Sequence, residues 1–253
     1  MIPPHAYTRG LGIEKKAGFA TTRWTLVQKA AAAGASAASD EALSRLCESY
    51  WYPLYVYLRR RGHGADDAQD LTQAFFTHLL EKRALRQADP ARGRFRSFLL
   101  VSLKNFVVNE WERETAQKRG GAVMLLSLDF ETAEGRFQRE PIADGTPEQL
   151  FDHAWAVTLL DRTLQRLRRE LTSSSKDPAR VERLLAYLSP GEAQASYTET
   201  GRALGLSEGA VKVAVHRMRL RFRALLSEDI ADTVSSVHQV DEEIRYLRSV
   251  VSK

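Results

Sequence analysis

Apolar positions along the 253-residue chain recur at spacings of three and four. Alternation of period two is nearly absent, so the pattern predicts helices and no sheet. Residues 1–20 read as a loose arm. Thr21 or Thr22 is placed to cap a short helix carrying Trp24 and Val27. Ala30–Ser39 reads as a hinge or a frayed end. Leu43, Leu46, Tyr50, Leu54 and Leu58 then form one stripe of a longer helix. Pro53 should kink or restart it, and the glycines of Arg59-Arg60-Arg61-Gly62-His63-Gly64 should stop it. Asp66 with Gln69 resembles a capping box for the next helix, over 66–82, with Ala68, Leu71, Phe75 and Leu79 as its apolar stripe. Residues 84–97 carry Pro90 and Gly93 and read as a loop. A strong helix is predicted from about Ser97 to Lys118, with Leu100, Leu103, Val107 and Trp111 facing a core.

Residues 120–150 change character: six acids stand against two bases, Gly120-Gly121 opens the stretch, and Pro141, Gly145 and Pro147 punctuate its end. That composition predicts a linker. A helix from about Pro147 to Leu171 follows, broken at Ser173-Ser174-Ser175, and then a second helical cluster from about Pro178 to Leu226. The tail carries Val240, Ile244, Leu247 and Val251 on one face, a stripe expected to fold back on the helix-turn-helix, with binding of a partner as the alternative. The expected fold is all-α, with two helical domains joined by an acidic linker and followed by a C-terminal helical tail. The divisions fall at 1–20 (arm), 21–119, 120–150 (linker), 151–228 and 229–253 (C-terminal extension).

Residues 196–226 read SYTETGRALGLSEGAVKVAVHRMRLRFRALL. Ser196 with Glu199 makes a capping box, Gly205 supplies a positive φ, and Ser207 caps the next helix, which is helix-turn-helix spacing. Val211, Val215, Met218, Phe222 and Leu225 form the apolar back of the second helix. Lys212, His216, Arg219 and Arg223 form an adjacent stripe, joined by Arg217 and Arg221. Between 207 and 226 there are five Lys or Arg and one acid, Glu208. An apolar back with a basic front suits a helix lying in a DNA major groove between phosphates; a solvated surface helix is the plainer alternative.

In the 92–119 segment Arg92, Arg94 and Arg96 alternate around Phe95 just before a helix. Cations that track phosphates beside a ring that stacks on bases fit an unpaired strand. On the helix, Ser102, Asn105, Asn109 and Arg113 share a face, with Lys104 beside it. The chain has two asparagines, and they are this i,i+4 pair. Side-chain amides pair with base edges, and a polar helix–helix contact explains the spacing equally well.

Composition narrows the function classes. The net charge is +5, a modest pull toward polyanions. Arginines outnumber lysines 28 to 9, a ratio that GC-rich codon usage explains, so the arginines inform through their positions. No run approaches a membrane helix, and the N-terminus lacks the apolar stretch of a signal peptide. The one cysteine, Cys47, excludes an intrachain disulfide and a cysteine zinc site. A reducing cytoplasm and no membrane partner are the expectations. Asp66, Asp67, Asp70 and Gln73 occupy the polar side of the 66–82 helix, with His63 just before. They read as a docking face for a basic partner surface, or as acids favoured by a helix N-terminus. A metal hydrolase built on His63 and these acids is the remaining possibility. The histidines lack metal-ligand spacing, and no phosphate loop or nucleophile elbow is present. No metal, no cofactor and no enzymatic activity are expected.

In order, these segments resemble the two-domain extracytoplasmic-function (ECF) group of the sigma-70 family of RNA polymerase sigma factors. DDAQDLTQAFFTHLL (66–80) is similar to the region-2 helix that grips the polymerase β′ clamp. FRSFLLVSLKNFVVNEWERE (95–114) is similar to the region-2 helix that opens the −10 element. Residues 196–226 are similar to region 4, which reads the −35 element and docks on the β flap. The resemblance implies that Asp66, Asp67, Asp70 and Gln73 face β′. It implies that Arg92, Arg94, Phe95 and Arg96 handle the flipped −10 base, with Ser102, Lys104, Asn105, Asn109 and Arg113 along the melting face. It implies that Ser207, Glu208, Lys212, Val213, His216, Arg217, Arg219 and Arg221 approach the −35 groove. The implied partners are core RNA polymerase, promoter DNA, and an anti-sigma factor or other regulator. Ala210 and Ala214 stand where that family usually has Thr and Arg, and Thr200-Gly201 where it has Ile-Ala. A free-standing helix-turn-helix regulator with an unrelated helical sensor domain is the alternative.

Overall fold

The computed structural model describes residues 25–31, 37–81, 85, 88–89, 93–116, 129–139, 145–175, 177–188, 195–234 and 236–252. Every regular element among them is helical. In chain order they are α1 (Thr25–Ala31), α2 (Ala37–Arg60), α3 (Ala65–Glu81), α4 (Phe95–Ala116), α5 (Phe130–Arg139), α6 (Pro147–Ser174), α7 (Pro178–Leu185), a 3-10 turn (Ala186–Leu188), α8 (Tyr197–Leu204), α9 (Glu208–Ala231) and α10 (Val237–Val251). The all-α class expected from the periodicity is the class adopted. Thr21, Thr22 and Trp24 lie outside the described residues.

Local chemistry sets the ends. α2 continues through Pro53 rather than restarting there. Gly62, at φ 98°, turns the chain toward α3. The Gly64 carbonyl accepts the first amide bond of α3, from Ala68 at 3.0 Å. Gly64 rather than Asp66 is therefore the cap, and Asp66 and Asp67 sit inside the first turn, where exposed amide groups favour acids. α6 opens on a capping box between Thr146 and Gln149 with Pro147 in its first turn. It runs on through Ser173 and Ser174, whose hydroxyls donate to the Glu170 carbonyl, and stops at Ser175.

The broadest helix–helix contact is α2 against α6. Around it Tyr50, Leu54, Tyr55 and Leu58 of α2, Phe75 of α3, Phe95, Leu99 and Leu103 of α4, and Phe151 of α6 are fully buried. At about 1.5–3 kcal/mol per buried large apolar side chain, this cluster dominates the stability. Leu226 and Ile230 of α9 and Val240 and Leu247 of α10 join the same core. Two smaller clusters lie farther along. Leu167 of α6 meets Val181, Leu185, Met218 and Leu225, and Tyr187 meets Val211 and Val215. The 28-residue α6 thus contributes its first half to the large core and its second half to a small one. Cys47 is buried in the large core, and loss of hydration, with Glu48 adding to it, pushes its thiol up to about 12.

Three elements differ from the sequence reading. On α4 the packing face runs through Phe95, Leu99, Leu103 and Phe106, and Leu100 and Val107 sit at its margin. Within the acidic 120–150 stretch, residues 130–139 form α5, which packs on α2. Phe130 meets Trp51 at 5.3 Å and Tyr55 at 5.8 Å between ring centroids. Glu134 takes Arg59 at 2.9 Å and accepts a bond from the Tyr55 hydroxyl. The tail forms α10, which folds back on α6 and α9 and joins the large core rather than covering the α8–α9 turn, and Val251 of the expected stripe is exposed.

Candidate nucleic-acid interface

The helix-turn-helix forms as its turn chemistry predicts. The Ser196 hydroxyl accepts from the Glu199 amide at 3.1 Å, and the Glu199 carboxylate accepts from the Ser196 amide at 2.8 Å. Gly205 sits at φ 64°, and Ser207 accepts from the Ala210 amide at 3.2 Å to start α9. The unusual Thr200-Gly201 pair has a local reason. The Thr200 hydroxyl lies 2.7 Å from that of Tyr187, which donates to the Ala195 carbonyl at 2.7 Å. A Cβ on Gly201 would fall 2.7 Å from the Leu206 carbonyl oxygen, so the turn closes only over a glycine.

α9 divides its basic residues between two jobs. His216 and Arg217 are exposed, beside Val213 and Leu220 at 50% and 56% exposure. Lys212 pairs with Glu208 at 2.6 Å, and Glu208 also accepts from the Thr198 hydroxyl at 2.8 Å. These bonds hold the Glu208 carboxyl below the usual glutamate range, with Lys212 the larger cause. Arg219 and Arg221, expected at the groove, are engaged elsewhere. Arg219 donates to the Tyr187 carbonyl at 3.2 Å, and Arg221 makes two 2.9 Å bonds to Glu170 of α6. Both bonds tie α9 to its own module, and both residues remain exposed.

On α4, Asn105 and Asn109 are exposed and Ser102 is half-buried. Lys104 pairs with Glu148 at 2.8 Å, a bond that raises its pKa. The sequence reading passed over Val101 and Val108, exposed by 57% and 58%. They flank Asn105 at spacings of four and three, so one helix face presents two apolar side chains and an amide to solvent. Arg92 lies outside the described residues, as does the Arg113 side chain.

The start of α4 and Arg94 just before it differ most from the sequence reading. Phe95 is 1% exposed, stacked on Phe98 and edge-on to Tyr50. In this arrangement it is a core residue closed to any base. Arg96 is 5% exposed. It pairs with Asp152 of α6 at 3.0 Å and with Glu243 of α10, and its guanidinium lies 4.5 Å from the ring centres of both Trp155 and Tyr246. Burial pushes the Arg96 pKa down, and Asp152 opposes that shift. Arg94, about a third exposed, pairs with Glu243 at 2.9 Å.

On α3, Asp66, Asp67 and Asp70 are exposed and Gln73 is half-buried. His63, Asp67 and Asp70 with Glu110 of α4 line a groove of about 450 Å³ whose floor includes Leu71, Ala74 and Val107. Among the described residues no three His, Cys, Asp or Glu side chains converge on a point where a metal ion would sit. No described helix is long and apolar enough to cross a membrane.

The four helices α1–α4 thus leave an acidic groove and an amide-bearing helix face open to solvent, and the helix-turn-helix presents a basic edge. Residues 46–117, from within α2 past the end of α4, match the family model for Sigma-70 region 2. No curated protein and no solved structure matches the chain. The match covers 72 of the 253 residues, so the likeness is that of the α2–α4 segment to Sigma-70 region 2.

Proposed function

We propose that the chain is a sigma factor of the ECF type, in which residues 21–119 bind core polymerase and the −10 element and residues 151–228 read the −35 element. The observation that carries this reading is the region 2 match over α2–α4, followed in the same chain by a capped helix-turn-helix. The α3 acids Asp66, Asp67 and Asp70 supply the face for the β′ clamp. The outer face of α4, with Val101, Asn105, Val108 and Asn109, supports the separated −10 strand through amide and apolar contacts. On α9, Ser207, Glu208, Lys212, Val213, His216 and Arg217 lie toward the −35 groove, and the module also meets the β flap. The chain performs no chemistry itself and acts in the cytoplasm, where its polymerase and DNA are.

Retention of the full chain on purified core RNA polymerase tests the reading directly. Asp70→Arg should abolish retention while leaving the circular dichroism spectrum unchanged. Asn105→Ala should keep retention and weaken open-complex formation. A chain that ignores core polymerase yet binds a duplex operator on its own would be a free-standing regulator. If promoter binding engages about six phosphates, affinity should fall by about 10³-fold between 50 and 200 mM salt.

A further inference from the structure

Arg96 and Glu243 are the charged side chains buried among the described residues, at 5% and 2% exposure, and they are each other's ion-pair partners. Arg94 reaches the second oxygen of the same carboxylate at 2.9 Å. Tyr246, on the same face of α10, lies 5.5 Å from the Arg94 guanidinium and 4.5 Å from that of Arg96, and donates to Asp152 at 2.6 Å. An anionic group whose two oxygens each meet a guanidinium is also how arginines hold a phosphate. We propose that Glu243 stands in for a nucleic-acid phosphate: α10 is an intramolecular competitor that keeps the Arg94–Arg96 anion site shut, and DNA enters the segment before α4 when α10 lifts away. The proposal rests on the reading given above that residues 21–119 bind the −10 element.

The way α10 is fastened fits a competitor better than a permanent brace. A buried ion pair is a weak fastener, because desolvating two charges offsets most of their attraction, and an apolar pair of similar volume usually holds as well or better. Among the described side chains of α10, only Val240 and Leu247 join Glu243 in being buried, with Ile244, Tyr246 and Val250 partly so. Lifting α10 returns Glu243 and Arg94 to water. Arg96 keeps Asp152 at 3.0 Å and the face of Trp155, so it is not left as a bare buried charge. The closed and open forms therefore differ by a small balance of large terms, the condition under which a ligand shifts a population. A strand phosphate offers the two arginines what Glu243 offers, two acceptor oxygens sharing one negative charge. The tail and melted DNA thus compete for one site.

The test measures binding of a fluorescently labelled single-stranded DNA of mixed sequence to the full chain by anisotropy. Glu243→Gln should tighten binding by about fivefold to tenfold, the scale of one charge-assisted contact released. Glu242→Gln removes the same charge from the neighbouring position, where the carboxylate faces His238 at 3.4 Å, and should change affinity less than about twofold. Adding Arg94→Gln to Glu243→Gln should cancel the gain. Hydrogen exchange of the unsubstituted chain gives a second reading that does not depend on how a variant folds: amides of residues 237–251 should lose protection when the DNA saturates. If Glu243→Gln binds no tighter than Glu242→Gln, or if α10 stays protected in the DNA complex, or if no form binds the DNA, the proposal is overturned. Core polymerase retention is scored separately. Its failure would remove the sigma-factor reading while leaving the competition between Glu243 and DNA to be judged by anisotropy.

Discussion

Arginines gather before α4 and along α9, and the structure uses the two groups in opposite ways. On α9 the helix has two sides. Val211, Val215 and Met218 go inward, so His216 and Arg217 remain outside, and Arg219 and Arg221 fasten the helix to its own module. At the start of α4 there is no such division, because α6 and α10 close over it and Arg96 ends inside the protein between Asp152, Trp155, Tyr246 and Glu243. An arginine presented by a helix with a buried back stays available. An arginine at a helix start covered by other helices belongs to whichever acid those helices deliver.

The sharpest way to break this comparison is to truncate one arginine from each group. Arg96→Ala leaves Glu243 and Asp152 facing a void and should cost about 3 kcal/mol in urea unfolding, the scale of a broken buried pair. Gly201→Ala forces a methyl group against the Leu206 carbonyl and should cost about 2 kcal/mol. Its loss should fall on the α7–α9 module, seen as faster hydrogen exchange of residues 197–216 with α2–α4 unchanged. Arg217→Ala should leave the unfolding midpoint in place and weaken promoter binding about tenfold, the value of one good DNA contact. Arg221→Ala should do the reverse, sparing DNA affinity and costing less than about 1 kcal/mol, since its pair with Glu170 is half in water.

A pH-dependent effect concerns α5. Burial pulls the Glu134 carboxyl up, but bonds from Tyr55, Gln138 and Arg59 outweigh it and hold its pKa below the usual 4.5. A carboxylate with a lowered folded pKa stabilises at neutral pH, and its contribution is lost as pH falls through that folded value. The unsubstituted chain should therefore lose about 1 kcal/mol more than Glu134→Gln when unfolding midpoints are followed from pH 6 down to pH 3.

What could be read in the sequence follows the range of the interactions involved. The α8–α9 turn was legible because Ser196, Glu199, Gly205 and Ser207 act on amides at most three residues away. The buried face of α4 was misread by one position because that helix is apolar on more than one side. Val101 and Val108 look as core-like in the sequence as Leu99 and Phe106 do, and packing against α3 decides among them. α5 carried a signal in Phe130, Ala133 and Phe137 at helical spacing, outweighed by the acidic composition around it. The closure over Arg94 and Arg96 had no local signal, because Glu243 lies about 150 residues further along the chain.

The enclosed position of Cys47 has a consequence for its reactivity. With its thiol at about 12, the reactive anion makes up on the order of one molecule in 10⁵ at neutral pH. Peroxides and disulfide reagents attack that anion, and the core around it admits neither. Burial thus protects the Cys47 thiol from oxidation for as long as the core stays closed.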